Sequence, residues 1–368
     1  MSRSGTYQKP VDRLFLSIVF LLSGLGYIIF LSASLGSLGY DISSFTWQAG
    51  KQLIVLLVGL LVMLGTASFP YHYWRKLSVP FLALSAILTL AVFVPGLGVL
   101  AGGASRWLDL GVVAFQPVEI LKFGLIIYYA VWLANTSDRV DTVKWGLGPL
   151  VFLVALAGLL LIFQPDTGSL MVISAALVGM FFVAGGRFLH LFIIAFLGVL
   201  LLAGLVVHQP YIKDRFTIFL NPSLDTQGLS YQINQSFIAI GAGELTGRGF
   251  GQSLQKFSFL PQPVTDSIFA VVAEEFGFIG AMVILALFVL FALMGFKIAA
   301  RAPDNFGRLL VVGIVILIAS QSFVNIGAML GVMPLTGIPL VFVSHGGSSL
   351  LMSLFGVGII LNVSRHIA

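Results

Sequence analysis

Cysteine is absent from this chain of 368 residues, and charged residues make up only 9% of it. Without cysteine, the chain has no disulfide, no thiolate nucleophile and no metal site built on cysteine. The small charged fraction, combined with 58% hydrophobic residues and a mean hydropathy of +1.06, lies far from the composition of a soluble globular domain. The sequence therefore indicates a polytopic membrane protein.

Apolar runs long enough to cross a bilayer as helices, about 20 residues each, recur along the chain. We expect an all-α fold of ten transmembrane helices within a single domain, residues 1–368. The expected spans are 14–34, 52–69, 77–95, 117–135, 147–163, 168–185, 188–208, 267–296, 307–330 and 342–363.

The loop between spans seven and eight, residues 209–266, is far longer than an ordinary connection. Loops of that length are usually functional or disordered. Its content of Phe, Ile and Gly argues against disorder. The alternation of apolar and polar residues over 230–243 predicts an amphipathic helix at the membrane interface.

The basic residues indicate the orientation, because Lys and Arg near span ends are retained on the cytoplasmic side. We expect both termini to be cytoplasmic. That side then carries Arg3, Lys9, Arg13, Arg75, Lys76, Arg139, Lys144, Arg187, Lys297, Arg301, Arg308 and Arg365. The 209–266 loop becomes extracytoplasmic. Nucleic-acid binding is not expected, because these basic residues form no clustered patch.

Three carboxylates occur within "FLPQPVTDSIFAVVAEEFGFIG", residues 259–280: Asp266, Glu274 and Glu275. Asp266 follows two prolines and directly precedes an apolar run, so it is the leading candidate for a reactive carboxylate, with helix N-capping as the alternative. In a helix that begins near Asp266, Glu274 lies about 12 Å further along the axis. Glycosidase carboxylate pairs are roughly 5–9.5 Å apart, so a paired acid and base is not expected.

Charged residues also surround the expected fourth span. Arg106 and Trp107 precede it, and Glu119 and Lys122 lie three residues apart on one face inside it. Ionisable residues inside a span are rare and usually face a partner or a cavity. The pair is therefore either a structural ion pair or part of a ligand-binding polar cavity, and Trp107 is either an interfacial anchor or a stacking platform.

Asp166, in "FQPDTGSL", either caps the following helix or faces an outward cavity. Arg215 and Arg248 lie on the expected outer side, each beside glycine or aromatic residues, and Lys256 follows in the same loop. Several cations on one side suit an anionic ligand such as pyrophosphate, which needs multiple donors around it.

An ordered series of motifs carries a family resemblance. The series includes "KQLIVLLVGLLVM", "GASRWLDLG", "FQPVEILK", "QPDTGS", "YQINQSFIAIGAGELTGRGFGQSLQKFSFLP", "TDSIFAVVAEEFGFIG" and "MPLTGIPLVFVSHGGSSL". The chain resembles the SEDS family, which includes FtsW and RodA, almost from end to end. "GQSLQK" and "LNVSRH" are more similar to the FtsW division branch.

The resemblance implies a multi-pass enzyme of the bacterial cytoplasmic membrane, a peptidoglycan glycosyltransferase that polymerises lipid II and works with a class B penicillin-binding transpeptidase. It implies a catalytic Asp266 that acts as general base or holds a divalent cation, Mg or Mn, with no organic cofactor. The expected substrate-binding residues are Arg106, Trp107, Glu119, Lys122, Asp166, Arg215, Arg248 and Lys256.

The segment around Asp266 departs from the family pattern at Gln262, Val264 and Ser267, where Glu, His and Phe are usual. The missing Glu removes one carboxylate beside Asp266. Two other functions remain open: a lipid flippase or ion-coupled carrier, which would also use buried charges within spans, and a scaffold without catalysis.

Overall fold

The computed structural model describes residues 10–36, 42–101, 104–109, 111, 114–221, 228–257 and 259–367, and these residues are mostly helical. Twelve α-helices occur in this order: α1 (Arg13–Ser34), α2 (Ile42–Ser68), α3 (His72–Ala91), α4 (Val118–Asn135), α5 (Gly148–Ile162), α6 (Thr167–Val183), α7 (Phe188–His208), α8 (Pro210–Leu220), α9 (Leu229–Ala242), α10 (Ile268–Ala300), α11 (Asn305–Met329) and α12 (Gly347–Arg365).

Nine helices within the described part of the chain are long and apolar enough to cross a membrane. They are α1, α2, α3, α4, α7, α10, α11, α12 and the continuous segment Val143–Ile162, which joins a π-helical turn over Val143–Leu147 to α5. The remaining expected span is also helical, but α6 has only 17 residues. This chain is a multi-pass membrane protein.

The centre of the bundle is formed by α4, α11 and α12. Most of their apolar spans are buried inside the protein, 67%, 83% and 89% respectively. In contrast, only 17% of the span of α2 and 6% of that of α7 is buried. Since lipid tails are as apolar as Leu, an apolar helix with an uncovered surface is compatible with contact to the bilayer. Polar residues inside these spans, such as Lys122, Gln321 and Asn362, are therefore buried against protein.

A small sheet corrects the all-α expectation. Three antiparallel strands lie between α3 and α4: β1 (Gly98–Ala101), β2 (Ala104–Asp109) and β3 (Ala114–Phe115). The pairing of β1 with β2 shifts register between Val99 and Leu100, which leaves Arg106 as an extra residue in a bulge. Bulges redirect side chains and are frequent beside functional sites. The sheet was missed because β1 and β3 have only four and two residues, too few to show an alternating pattern.

The long 209–266 segment contains two helices. The helix predicted over 230–243 is confirmed as α9, and α8 continues from the end of α7. Further along, α10 is interrupted at Gly277, whose φ of 64° and ψ of −165° are not helical. Positive φ is readily adopted by glycine alone, so this residue type permits the break.

Candidate active site

A small cavity opens beside Asp266. Its volume is about 40 Å³, enough for a few water-sized groups. The lining residues come from α8, α9, the turn before α10 and the segment between α11 and α12: Arg215, Ile218, Gln232, Ile233, Asp266, Leu335 and Gly337.

The Asp266 carboxylate faces this cavity and does not cap α10. The N-cap position is Ser267, which makes no side-chain capping bond to the helix. The Ser267 hydroxyl instead donates to the Pro261 carbonyl at 2.9 Å and accepts from Gln232 Nε2 at 3.0 Å. The N-cap interpretation of Asp266 is therefore wrong, and the half-buried carboxylate is left to interact with groups in the cavity.

Gly337 brings the main chain close to two charged groups. The position that a Cβ on Gly337 would take lies 3.6 Å from Asp266 Oδ2 and 3.6 Å from Arg215 Nη2. The distance between Asp266 Oδ2 and Arg215 Nη2 is therefore at most twice 3.6 Å. Gly337 has a φ of +71°, which other residues rarely adopt, and a side chain here would enter the space between the two charges.

The turn that carries Asp266 is held by the segment between α11 and α12. Asn325 Nδ2 donates to the Asp266 carbonyl at 2.9 Å and to the Ile338 carbonyl at 2.8 Å. The Ser344 hydroxyl donates to the Thr265 carbonyl at 2.6 Å, and the His345 amide donates to the Val264 carbonyl at 2.7 Å. These bonds fix the backbone on both sides of the carboxylate.

The electrostatics of Asp266 balance burial against nearby charges. Burial raises the pKa of the Asp266 carboxyl above its ordinary value, while Arg215 and then Arg106 lower it and Asp166 raises it. The net direction is upward. A carboxylate with a raised pKa is a stronger base than an exposed Asp, which suits general base catalysis.

Arg106 and Arg215 are both anchored to main-chain carbonyls. From the β-bulge, Arg106 donates through Nε to the Gln164 carbonyl at 2.8 Å and through Nη2 to the Pro165 carbonyl at 2.6 Å. Arg215 Nη1, on α8, donates to the Leu335 carbonyl at 2.6 Å. The anchors hold two cations in the electrostatic neighbourhood of Asp266.

Asp166 has the capping role that the sequence left open. It is buried and accepts from the Ser169 amide at 3.0 Å at the start of α6. It also contributes negative charge near Asp266. Trp107, next to Arg106 on β2, pairs with Val99 and is half-buried. The structure therefore brings Arg106, Asp166 and Arg215 into the surroundings of Asp266, with Trp107 adjoining.

Glu119 and Lys122 form a separate buried network. Lys122 Nζ lies 2.9 Å from Glu119 Oε1 and 2.9 Å from Gln321 Oε1. Gln321 Nε2 donates in turn to the Pro339 carbonyl at 3.3 Å and to the Ser349 hydroxyl at 3.1 Å. The predicted ion pair is present, and it links α4 and α11 to the segment that contains Gly337.

Arg248 and Lys256 belong to another group, around the two glutamates of α10. Lys256 Nζ is fully buried, 2.6 Å from Glu275 Oε1 and 3.1 Å from the Ser32 hydroxyl. Arg248 Nε is 3.8 Å from Glu274 Oε1. The structure does not place these two cations among the lining residues of the Asp266 cavity, so their substrate-binding roles stay predictions.

Two residues of the site were not anticipated. Gln321 and Asn325 are polar residues one helical turn apart on the otherwise apolar α11, so they share a face. Each is buried and reaches the segment before α12, at Pro339 and Ile338 respectively. Their four-residue spacing within an apolar run was a usable signal, since buried polar groups in a span need partners.

The site can offer one carboxylate to a divalent cation, but not a full set of protein ligands. Among the described residues, no group of three or more His, Asp or Glu side chains is placed to hold a metal, and Asp166 is engaged in its cap. Mg²⁺ is commonly bound by one or two carboxylates together with substrate phosphates and waters. Asp266 fits such a shared arrangement.

The sequence and the fold have clear relatives. Residues 12–368 match the model of the FtsW/RodA/SpoVE family, described as cell cycle protein. Stage V sporulation protein E of Bacillus subtilis (strain 168) is 38% identical over 361 residues, covering 98% of this chain and 99% of that protein. A protein of Trichlorobacter lovleyi named probable peptidoglycan glycosyltransferase FtsW is 39% identical over 354 residues, covering 96% and 93%.

Solved structures have the same fold. One chain, from a structure on the coordination of polymerization and crosslinking by a peptidoglycan synthase complex, superposes with a TM-score of 0.80 at 29% identity, covering 96% of this chain and 98% of that one. The rod shape determining protein RodA of Thermus thermophilus superposes with a TM-score of 0.69 at 27% identity, covering 96% and 97%. This chain therefore belongs to the FtsW/RodA/SpoVE family, the SEDS family that its motifs indicate, and it is FtsW-like.

Proposed function

We propose that this protein is a peptidoglycan glycosyltransferase, which polymerises lipid II into glycan strands at the outer face of the bacterial cytoplasmic membrane. The observation that carries this proposal is the cavity that joins a single carboxylate, Asp266, to the guanidinium of Arg215. The name of the Trichlorobacter lovleyi relative supports the same activity.

The reaction needs a base for the acceptor hydroxyl and positive charge near the leaving pyrophosphate. Asp266 accepts the proton of the acceptor sugar hydroxyl as that oxygen bonds to the anomeric carbon of the donor. The bond from this carbon to undecaprenyl pyrophosphate breaks, and the electron pair leaves with the phosphate. Arg215 and Arg106 stabilise the negative charge that accumulates there. One carboxylate suffices, in contrast to the two that glycosidases use.

In the alternative role of Asp266, the carboxylate would hold a Mg²⁺ or Mn²⁺ in place of acting as the base, and the cation would neutralise pyrophosphate charge. Of the other expected substrate contacts, Trp107 follows Arg106 in the chain, and Asp166 follows Pro165, whose carbonyl accepts from Arg106. Glu119 orients Lys122, and the Gln321 link supports a role for this pair in shaping the segment of Gly337. Contacts of Arg248 and Lys256 with substrate remain part of the proposal.

The topology that this function needs is part of the proposal as well. One membrane domain, residues 1–368, would cross the bilayer ten times with α6 as a short span. Both termini would be cytoplasmic and the 209–266 loop extracytoplasmic. A class B penicillin-binding transpeptidase would crosslink the product, which the likeness to a chain of a peptidoglycan synthase complex supports.

The test is polymerisation of lipid II by purified protein. We would compare wild type with Asp266→Asn in detergent, with a divalent cation, with and without the cognate transpeptidase, and resolve glycan ladders on a gel. Asp214→Asn is the matched control, because Asp214 is an exposed carboxylate next to Arg215 in the chain. We expect ladders from wild type and from the control, and none from folded Asp266→Asn.

Other outcomes discriminate between the functions. Ladders from Asp266→Asn at the wild-type rate would move the chemistry to another residue. If wild type makes no polymer under any of these conditions, the glycosyltransferase proposal fails and the carrier and scaffold functions return. Transport of a fluorescent lipid II analogue across vesicles would then separate those two.

A further inference from the structure

A second cavity lies at the other end of α10. It has a volume of about 240 Å³. It is formed by the start of α1, the end of α10 and the end of α12, and its lining residues are Pro10, Asp12, Lys297, Ile298, Arg301, Ser364 and Ile367.

The position of this cavity is at a membrane boundary. After the break at Gly277, α10 continues from Phe278 to Ala300, about 34 Å of helix at the usual rise per residue. The hydrocarbon core of a bilayer is about 30 Å thick. Lys297 and Arg301 therefore lie one bilayer thickness away from the Gly277 break.

The charge of the lining is positive. Lys297 and Arg301 are four residues apart on one face of the helix end, and neither has an ion-pair partner among the described residues. The acid in the lining, Asp12, is the N-cap of α1 and accepts from the Phe15 amide at 3.0 Å. Its backbone amide donates to the Ser364 hydroxyl at 3.2 Å, so the cap and the end of α12 are tied together.

The flanking sequence adds positive charge, and its acid Asp304 is the N-cap of α11, where it accepts from the Gly307 amide at 2.8 Å. Arg13 and Arg365 adjoin lining residues in the chain. The negative C-terminal dipole ends of α10 and α12 oppose an anion weakly. The side-chain cations outweigh this effect, because each carries a full charge.

We propose that this cavity binds the phosphate headgroup of an anionic membrane phospholipid. Lys297 and Arg301 would make charge-assisted hydrogen bonds to the phosphate oxygens, and basic pockets between helices at this depth suit such headgroups. Ile298 and Ile367 give the site an apolar side for the glycerol and the first acyl carbons. A zwitterionic headgroup is disfavoured, because its own cation would approach the same positive lining.

Native mass spectrometry of the full chain in detergent tests this site. Titrations with phosphatidylglycerol, phosphatidylcholine and inorganic phosphate measure three apparent affinities. Each basic residue near the surface contributes roughly fivefold to the binding of an anionic lipid. Lys297→Gln with Arg301→Gln is therefore expected to weaken phosphatidylglycerol binding about 25-fold. Arg301→Lys, which keeps the charge, should stay within about threefold of wild type.

The control removes the same charge from the same expected side of the membrane. Arg139 and Lys144 lie near the Trp145 ring, 5.9 Å and 5.4 Å from its centroid, and Arg139→Gln with Lys144→Gln should change binding less than about twofold. Equal loss in both double variants would show a nonspecific surface effect and overturn the site. Inorganic phosphate that binds as tightly as the lipid would overturn the lipid assignment. The single variant Arg301→Gln replaces the double variant if that protein does not fold.

Discussion

Asp266 differs in its surroundings from Glu274 and Glu275, although all three carboxylates lie in one short stretch, residues 259–280. Glu274 accepts from the Leu254 amide at 3.0 Å and from the Ser253 hydroxyl, and Glu275 is paired with Lys256 and with the Ser32 hydroxyl. Asp266 instead opens on a cavity. The side chains with complete sets of partners build the structure, and the one with an open side is available to a substrate.

The glutamate group also explains the break in α10. The amides of Arg248 and Gly249 donate to the carbonyls of Glu274 and Glu275 at 3.0 Å and 2.9 Å, and the amide of Phe278 donates to the Glu244 carbonyl at 2.9 Å. The loop thus takes over main-chain bonds at the interruption. Glu274 and Glu275 secure this loop. The loop in turn fixes the direction of the first part of α10, which follows Asp266.

The largest effect on stability is expected from Glu275→Gln. The substitution keeps the shape but leaves the Lys256 ammonium buried without its counter-charge, which costs about 3–5 kcal/mol. Thermal unfolding in detergent measures the loss. Glu244→Gln, an exposed glutamate in the same loop, is the control and should unfold like wild type. An unfolding temperature of Glu275→Gln equal to wild type would show that the pair does not hold the loop.

Arg215→Gln tests the Asp266 cavity, the open side of the comparison. Removal of one charge-stabilising donor typically lowers a rate about 100-fold, so we expect a loss of that order in kcat for lipid II polymerisation. Initial rates from labelled lipid II measure it. Arg187→Gln, an exposed arginine paired with Asp141 at 2.7 Å, serves as control. A rate unchanged by Arg215→Gln would remove this residue from the proposed site.

A smaller effect is expected from Gly277→Ala. A Cβ here would lie 2.6 Å from the Leu245 carbonyl oxygen and closer still to the Gly247 nitrogen, at a φ of 64°. Strain of this kind costs of order 1–3 kcal/mol. Gly24→Ala is the control, since no atom lies within 4 Å of the added carbon. Equal unfolding temperatures for the two variants would contradict the rigid contact between loop and helix.

The smallest expected effect is a shift in pH dependence. Burial raises the pKa of Asp266, so the ionised base is lost as the pH falls through a value above the ordinary Asp pKa of about 3.9. Arg215→Gln removes the largest charge that lowers this pKa and should move the acidic limb to higher pH. Polymerisation rates from pH 4 to 8 report it. A limb at the ordinary Asp value in wild type would show a solvated carboxylate.

The helices were largely predictable and the tertiary contacts were not. Each long apolar run predicted a span, and the structure has a helix at every one of them. The alternation over 230–243 predicted α9. The sheet was missed because β3 has two residues, too few for a pattern. The Gly277 break depends on hydrogen bonds to Glu244 and Leu245 more than thirty residues away, which no local period contains.

The site was also predictable only in part, because local sequence patterns do not contain long-range contacts. Asp266 stood out by its position before an apolar run, and Arg106, Asp166 and Arg215 by their charge in an apolar chain. Nothing local separated Arg215, which lies beside Asp266, from Lys256, which is buried against Glu275. Both are basic residues in the same long loop, and only the path of the folded chain assigns them to different carboxylates.

The most direct test measures unfolding temperature and lipid II polymerisation on the same preparations of Asp266→Asn and Glu275→Gln. Asp266→Asn should unfold at the wild-type temperature and lose about 10²–10⁴-fold in rate. Glu275→Gln should unfold at a lower temperature yet retain activity per folded molecule when assayed below its transition. The reverse pattern, with an active Asp266→Asn or a stable but inactive Glu275→Gln, would contradict the division between a reactive carboxylate and a structural one.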